Sequence, residues 1–455
     1  MSTIVAISTA PGVGGIGIIR MSGDNCFEIL NKIFKPKTKQ EIADIKGYSI
    51  KYGNIFNARE EIVDEVLVSY FKAPKSYTTE NMCEINSHGG MVIMNQILEL
   101  CLENGAELAE AGEFTKRAFL NGRIDLSQAE AVIDVINAKT DKEAKVSLKQ
   151  LEGNLSSEIS EIRKEVISTL ADIEATIDYP EYDIEEVTNK KILEVLENVE
   201  EKINLMEKSF ENGKIIRDGI KTAIIGRPNA GKSSLLNVIL KEERAIVTDI
   251  EGTTRDTIEE YIQIDGIPLK IIDTAGIRNA KDEVEKIGVK KAVEIAEDSD
   301  IVIAIFDITR DFNDEDEEIL KLVQEKNAII VLNKIDLNSE KNIEKILKIN
   351  KPIIKISTKT KEGINNLYNE ISKIYKLKEI ANNGELIVSN NRHKKLIRNA
   401  KENLLLAKQT IVDKMPIDII SGNLKEIIEE LGKITGETVT EDVINEIFSK
   451  FCLGK

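Results

Sequence analysis

Three short motifs between residues 226 and 336 carry residue types that bind a nucleotide. Gly226-Arg-Pro-Asn-Ala-Gly-Lys-Ser233 has the spacing of a phosphate-binding loop, and Asp273-Thr-Ala-Gly276 and Asn333-Lys-Ile-Asp336 follow it in that order. The apolar run Thr222–Ile225 predicts a strand before the loop, and the residues from Lys232 onward predict a helix, which is the setting that such a loop requires. Backbone amides, the helix N-terminus and the Lys232 ammonium would together hold phosphate groups.

The motif that ends at Asp336 predicts which base is bound. A carboxylate there accepts hydrogen bonds from N1 and from the exocyclic N2 of guanine, whereas adenine offers an acceptor at N1 and no N2 amine. The motifs therefore predict GTP. The residues predicted to contact it are Asn229, Ala230, Gly231, Lys232, Ser233, Ser234, Thr248, Asp249, Ile250, Glu251, Gly252, Thr253, Thr254, Asp273, Thr274, Ala275, Gly276, Asn333, Lys334, Asp336, Ser357, Thr358 and Lys359.

The residue after Gly276 bears on how the attacking water is activated. Many GTPases place a glutamine there, but this chain has Ile277, which neither donates nor accepts a hydrogen bond. Glu285, in the acidic stretch that follows, is one candidate for polarising the water, and Arg255 or Arg278 is a candidate for supplying positive charge. The alternative is that these three residues are ordinary solvated charges of a loop. The motifs alone therefore do not identify the catalytic group.

Asn229 is an unusual residue inside the phosphate loop. Its side chain, together with carbonyls of the segment between residues 246 and 256, is a candidate ligand set for a monovalent cation that would stabilise charge on the transferring phosphate. Mg²⁺ would be held by Ser233 and by Thr254, and through water by Asp273.

The pattern of apolar and polar residues changes along the chain, and these changes predict several domains. Residues 1–118 mix β-rich and helical runs, as in a small α/β or α+β domain, and 119–215 and 380–455 have the apolar spacing of long amphipathic helices. Between them, 216–379 alternate apolar strands with helices, which predicts an inserted Ras-like P-loop GTPase domain with a mostly parallel sheet. Two independent helical pieces are the alternative to one interrupted helical domain.

Composition limits the classes of function. The net charge of −17 argues against a surface that is everywhere a nucleic-acid footprint, although a local basic patch or a basic partner stays open. No apolar run is long enough for a membrane span, no leader pattern is present, and the four cysteines lack metal-ligand or disulfide spacing. We therefore expect a cytoplasmic protein without a membrane anchor. The acidic run Asp311–Glu318 is expected to be a solvated loop.

Motifs along the whole chain resemble those of the tRNA-modification GTPase MnmE (TrmE) family. The GTPase motifs are accompanied by Gly252-Thr-Thr-Arg-Asp256 and Asp282-Glu-Val-Glu285. Blocks outside the G domain make the resemblance specific: Thr3-Ile-Val-Ala-Ile7, Gly14-Gly-Ile-Gly-Ile-Ile-Arg20, His88-Gly-Gly90, the blocks 112–122 and 125–131, and the tail Phe451-Cys-Leu-Gly-Lys455.

The resemblance implies a fold and a set of ligands. It implies an N-terminal domain that dimerises and binds 5-formyl-tetrahydrofolate or a related one-carbon folate, a helical domain, and an inserted G domain. GTP hydrolysis would be stimulated by K⁺ as two G domains meet, with Glu285 positioning the water. By matching positions, the K⁺ ligands would be Asn229, Thr248, Ile250 and Thr253, the Mg²⁺ ligands Ser233 and Thr254, and the folate contacts Arg20, Glu84, Arg123 and Lys455.

The family's role would be to add an aminomethyl or carboxymethylaminomethyl group to C5 of the wobble uridine of certain tRNAs, together with MnmG, a partner that uses flavin and NADH. Cys452 is either a covalent nucleophile or a tail residue near the folate. His88 is either a catalytic base or, as we expect, a turn or helix-start residue. The competing functions are a ribosome-assembly or stress GTPase that only binds RNA and a dynamin-like membrane GTPase.

Overall fold

The computed structural model describes residues 2–37, 47–178, 189–241, 245–246, 260–272, 294–337, 344–377, 379 and 387–455. The chain divides into two compact units. The first comprises Met1–Ile133, Gln150–Val195 and Asn403–Lys455, and the second comprises Asp134–Lys149 and Leu196–Glu402. Within the described residues, each unit is built on one seven-stranded sheet.

The sheet of the first unit is mainly antiparallel and has the strand order β3-β4-β5-β6-β2-β1-β7. Only the β1–β7 pairing is parallel among its described pairs. Alternation along β2 buries Ile19 and Met21 in the core and turns Arg20 to the opposite face. The strands are β1 (Ile4–Ile7), β2 (Gly14–Ser22), β3 (Phe34–Pro36), β4 (Tyr48–Phe56), β5 (Ile62–Phe71), β6 (Met82–Gly89) and β7 (Glu107–Leu108).

Two helices pack on the core face of this sheet, and they are α1 (Cys26–Ile33) and α2 (Met91–Glu103). Their apolar residues recur at helical spacing, as Ile29, Leu30 and Ile33 do in α1, and these side chains are buried. A mainly antiparallel sheet with helices on one face is the α+β form of the domain predicted from the sequence.

Long amphipathic helices account for the regions that were predicted to be helical. In α6, Ile159, Ile162 and Val166 lie on one buried face, and Arg163 Nε donates to the Ile428 carbonyl of α13 at 3.2 Å. The helices are α3 (Glu113–Leu120), α4 (Leu126–Asn137), α5 (Asp141–Leu151), α6 (Asn154–Asp178), α7 (Asn189–Asp218), α12 (Asn391–Val412), α13 (Ile417–Thr435) and α14 (Glu441–Phe448). Across the described ranges, none of the helices has the length and apolarity to cross a bilayer.

The sheet of the second unit has the order β14-β13-β12-β8-β11-β10-β9. The neighbours from β14 to β11 are parallel, and β10 is antiparallel to β11 and β9. The strands are β8 (Ile220–Gly226), β9 (Ala245–Ile246), β10 (Glu260–Ile264), β11 (Ile267–Ile271), β12 (Ile301–Asp307), β13 (Ala328–Asn333) and β14 (Ile353–Lys355). The helices are α8 (Lys232–Lys241), α9 (Asp314–Glu325), α10 (Glu344–Leu347) and α11 (Ile364–Ile374). The mostly parallel sheet predicted for this region is confirmed.

One sequence-based expectation about this unit was wrong. The acidic run Asp311–Glu318 is not a solvated loop, because α9 begins inside it at Asp314. Asn313 caps this helix, and its side chain and that of Asp316 exchange hydrogen bonds with each other's backbone amides at 3.1 and 3.2 Å. Acidic residues in a first helical turn are favourable because they face the positive end of the helix dipole.

Candidate functional site

The phosphate loop joins β8, in the interior of the second sheet, to α8. The loop turns at Asn229, whose φ is +62°, and again at Gly231, whose φ is +110°. A Cβ atom at Gly231 would lie 2.1 Å from Nδ2 of Asn333, so only glycine fits there. Lys232 Nζ donates to the carbonyls of Gly226 and Arg227 at 2.7 and 2.9 Å, which places the ammonium at the loop.

The base-recognition motif is fastened to the phosphate loop by Asn333. This side chain is fully buried, its Nδ2 donates to the Ala230 carbonyl at 2.9 Å, and its Oδ1 accepts from the Thr358 amide at 3.2 Å. Asn333 therefore holds together two loops that are more than a hundred residues apart along the chain. Each lies at the carboxyl end of a parallel strand, which is where α/β sheets bind ligands.

Asp336 is oriented by the next loop of the site. Its Oδ1 accepts a hydrogen bond of 2.7 Å from Oγ of the buried Ser357, and that Oγ also accepts from the Thr360 amide at 3.1 Å. A carboxylate held in this way keeps acceptor capacity for two donors on one edge of a base. The structure thus brings together the predicted residues of the phosphate loop, the Asn333–Asp336 motif and the Ser357–Lys359 segment.

Lys334 and Asp307 form a charged pair beside the loop. Lys334 Nζ donates to Asp307 Oδ2 and, at 3.1 Å, to the Asn229 carbonyl. Burial alone would raise the pKa of the Asp307 carboxyl, but hydrogen bonds from Lys334 and Thr309 outweigh burial and hold that pKa below its ordinary value. Asp307 is therefore ionised at neutral pH and pairs with the lysine of the motif.

The remaining predicted residues of the nucleotide site lie outside the described residues. They are Thr248, Asp249, Ile250, Glu251, Gly252, Thr253, Thr254, Asp273, Thr274, Ala275, Gly276 and Glu285. Their roles, including those of the proposed Mg²⁺ and K⁺ ligands among them, stay predictions. Within the ranges that the structure covers, no three His, Cys, Asp or Glu side chains form a metal-binding group.

A second polar cluster lies in the first unit, on the face of the sheet opposite the core. Arg20 and Glu84 are cross-strand partners on β2 and β6, and the guanidinium contacts Glu84 Oε1 through Nε at 2.9 Å and Nη2 at 2.8 Å. The Arg20 guanidinium carbon lies 5.6 Å from the ring centres of both Tyr77 and Phe114. Arg123 lies 4.8 Å from the same Tyr77 ring.

The chain's tail completes this cluster. Arg20 Nη1 donates to the Gly454 carbonyl at 3.3 Å, Ser8 Oγ donates to the same carbonyl at 3.0 Å, and the Phe114 amide donates to Lys455 O at 3.2 Å. Arg20, Glu84, Arg123 and Lys455, the four residues predicted to contact folate, therefore lie in one cluster. Their role in folate binding stays a prediction.

Two aromatic residues of this cluster were missed from the sequence. Tyr77 lies beside both arginines and its hydroxyl hydrogen-bonds Thr115 Oγ1 at 2.9 Å, while Phe114 is buried. Phe114 falls in a block that carried the family resemblance, so a signal for it existed, whereas nothing in the sequence singles out Tyr77. Both guanidinium groups lie within cation–π distance of the Tyr77 ring.

Cys452 and His88 occupy different surroundings. Cys452 is exposed, and its carbonyl accepts from the Gly112 amide at 3.3 Å. His88 lies in β6 as its penultimate residue, and not in a turn or helix start as expected; its Nδ1 is 2.7 Å from Oδ1 of Asp64. Neither contact assigns a catalytic role, so both alternatives for Cys452 stay open.

Comparisons with known proteins cover the whole chain. The family described as "GTP-binding protein TrmE N-terminus" matches residues 3–123, and the "MnmE helical domain" matches residues 126–452. The tRNA modification GTPase MnmE of Acetivibrio thermocellus is 51% identical over 100% of this chain and 99% of its own length. The protein of the same name from Clostridioides difficile is 50% identical over the same shares.

A crystal structure of Era in complex with MgGDPNP and a segment of 16S ribosomal RNA is 26% identical, with a TM-score of 0.26 over 40% of this chain and 66% of that chain. A score that low adds nothing to the assignment, which rests on the full-length relatives and the two matched families. The prediction of a GTP hydrolase of this family is thereby confirmed. The chain belongs to the MnmE family of tRNA modification GTPases.

Proposed function

We propose that the chain is a potassium-stimulated GTPase that acts with MnmG to install the (carboxymethyl)aminomethyl group at C5 of the wobble uridine in certain tRNAs. GTP hydrolysis drives two G domains together and rearranges the complex with MnmG. The observation that carries the proposal is that Asn333 joins the phosphate loop to the loop that recognises the base. The same chain also has the Arg20–Glu84 cluster. The phosphate and base loops would bind and hydrolyse GTP, and the Arg20–Glu84 cluster would bind the one-carbon donor.

The nucleotide chemistry follows from the residues of the G domain. The phosphate loop binds GTP, and Ser233, the second residue of α8, offers the hydroxyl oxygen that Mg²⁺ prefers as a ligand. Thr254 and, through water, Asp273 are its proposed companions. Bound Mg²⁺ would neutralise phosphate charge, and Lys232 and the amides of the loop would bind and orient the phosphates.

Potassium is proposed to bind beside the phosphates at Asn229. This residue already has the left-handed turn that brings a polar side chain to the first half of the loop, and an amide oxygen is a suitable ligand for a hard cation. Thr248, Ile250 and Thr253 are its proposed co-ligands. The cation would stabilise charge that develops on the transferring phosphoryl group, as an arginine supplied in trans does in other GTPases.

The potassium proposal predicts a simple ion dependence. GTP turnover of the full chain is expected to be at least about tenfold faster in KCl than in NaCl at equal ionic strength, because the smaller Na⁺ fits the proposed ligand set poorly. Phosphate release at saturating GTP and fixed Mg²⁺ measures it, with fluorescent GDP binding in both salts as the control. Equal rates in the two salts would remove K⁺ from the mechanism.

The Arg20–Glu84 cluster is proposed to bind 5-formyl-tetrahydrofolate or a related one-carbon folate. Its guanidinium groups and the Tyr77 ring match a ligand with a flat conjugated ring and carboxylates, and Glu84 accepts hydrogen bonds. Folate would supply the one-carbon unit that joins C5 of the uridine. We propose that this domain also forms the homodimer, and that the complex works in the cytoplasm.

The tRNA is proposed to be held largely by MnmG. A net charge of −17 disfavours an extended phosphate footprint on this chain, and a more basic partner would complement it. A ribosome-assembly or stress GTPase that only binds RNA is the alternative function, and it predicts no change in tRNA nucleosides.

Nucleoside composition of tRNA tests the whole proposal. Cells that lack the chain are expected to lose the C5 modification of wobble uridines, and a plasmid copy should restore it, whereas Arg20→Gln should restore less than about a tenth because one charge-assisted contact to the ligand is lost. Arg59→Gln, at an exposed arginine of the same domain, is the matched control and should restore it fully. Mass spectrometry of digested tRNA reads the result, and unchanged wobble uridines in the deletion strain would sink the proposal.

A further inference from the structure

The first half of the phosphate loop has a backbone conformation that its surroundings must hold. Asn229 has a φ of +62°, in the left-handed region that residues other than glycine seldom adopt. Asparagine tolerates this region better than most residues, but a side chain on such a turn keeps one direction only if neighbouring groups fix the backbone. The neighbours of the loop therefore bear on where the Asn229 amide points.

Two cations hold the carbonyls on either side of this turn. Arg310 Nη1 donates to the Pro228 carbonyl at 3.2 Å, and Lys334 Nζ donates to the Asn229 carbonyl at 3.1 Å. Both cations also contact Oδ2 of Asp307, Arg310 through its Nε at 3.4 Å. The Asp307 side chain is 4% exposed, so a buried carboxylate holds both cations in place beside the loop.

Arg227, two residues before Asn229, is anchored to a helix. Arg227 Nη1 donates to Asp316 Oδ2 at 2.8 Å and to the Asp311 carbonyl at 3.3 Å. Asp316 is 10% exposed and belongs to the capping box at the start of α9, a helix of 12 residues. The helix start, the Asp316 carboxylate and the Arg227 guanidinium thus form a continuous chain of contacts that ends at the loop.

These four side chains, Arg227, Asp307, Arg310 and Asp316, form what we call the outer clamp. They line a cavity of about 10 Å³ together with Pro228 and Ala230, which is room for no more than one water molecule. The clamp is therefore not a ligand site of its own. Arg310 contacts the loop backbone at the Pro228 carbonyl, and Arg227 is itself a residue of the loop.

We propose that the outer clamp positions the phosphate loop for the reaction, with Asp316 of α9 as a positioning residue for the Asn229 turn. It acts through the loop and touches neither the nucleotide nor the cation. The link to K⁺ rests on the proposed function above, because Asn229 is the proposed cation ligand. Loss of the clamp would let the turn sample other conformations, which weakens the cation site and loosens the nucleotide.

The test compares Asp316→Asn and Arg310→Gln with the wild type and with Glu318→Gln. Glu318 is an exposed residue of α9, the helix of Asp316. Its variant removes a negative charge, as Asp316→Asn does, at a position away from the loop. The expected result is that Asp316→Asn and Arg310→Gln raise the KCl concentration for half-maximal GTP turnover at least about fivefold and speed the release of fluorescent GDP. Glu318→Gln should match the wild type in both, and thermal melting confirms that all four proteins are folded.

The outcomes separate the clamp from the potassium proposal. An unchanged KCl half-point together with unchanged GDP release in both clamp variants would overturn the clamp, since a purely structural ion pair moves neither. A wild type that does not respond to K⁺ would overturn the potassium proposal instead. In that case the rate of GDP release tests the clamp proposal. Faster release in Asp316→Asn than in Glu318→Gln supports the proposal, and equal release contradicts it.

Discussion

Asp336→Asn is expected to weaken GTP binding about 100-fold, on the order of 3 kcal/mol, and to create binding of xanthosine triphosphate. Guanine presents two donors, N1–H and the N2 amine, to the carboxylate. An asparagine amide has one acceptor and one donor, so one guanine donor is left facing another donor. Xanthine has N1–H and the O2 carbonyl on that edge, and this pair matches the amide.

Titration with fluorescent guanosine and xanthosine diphosphates measures this switch. Ser357 Oγ donates to Asp336 Oδ1 in the structure, and the same hydroxyl would hold the carbonyl oxygen of the asparagine while the amide faces the base. Ser357→Ala is the comparison, because it frees the carboxylate but keeps both acceptors; it should weaken GTP binding by less and gain no xanthosine nucleotide. Undiminished GTP binding in Asp336→Asn would show that this residue does not read the base.

Glu285→Ala is expected to slow GTP hydrolysis at least about 100-fold while GTP binding stays intact, because a group that orients the attacking water acts on the chemical step alone. The prediction rests on the family resemblance and on Ile277, which cannot orient water, since both residues lie outside the described part of the chain. Single-turnover phosphate release and fluorescent GTP titration separate the two effects. Glu283→Ala, in the same acidic stretch, should hydrolyse GTP normally. A weakened affinity with normal turnover would assign Glu285 to binding.

The sequence predicted much of the second sheet because its strands are nearly continuous apolar runs. The apolar run Ile301–Phe306 lies within β12, and Ile329–Leu332 lies within β13. Strand β4 of the first sheet has a sequence that does not point to its buried side. Residues 48–52 alternate apolar and polar side chains, but the apolar Tyr48, Ile50 and Tyr52 are on the exposed side and Lys51 is buried, which reverses the usual arrangement.

The residues of the candidate sites also differ in whether the sequence could predict them. Asn333, Asp336 and Lys232 were predictable because their motifs fix the chemistry locally. Asp316 was not, since it sits among other acidic residues and its partner Arg227 lies 89 positions earlier in the chain. Charge alone made the whole run look solvated, and only the fold distinguishes the buried Asp316 from the exposed Glu318.

The docking of the tail has a consequence for synthesis of the protein. Gly454 lies against the first strand, where a Cβ atom would be 2.4 Å from the Ile7 carbonyl, and its own carbonyl bonds Ser8, 446 positions away. The residues of the N-terminal sheet emerge from the ribosome before the rest of the chain. The Arg20 cluster, in contrast, acquires Gly454 and Lys455 only after the G domain and the helices have been made. A nascent chain that has not yet reached Gly454 and Lys455 therefore lacks their contacts, so the cluster is completed only late in translation.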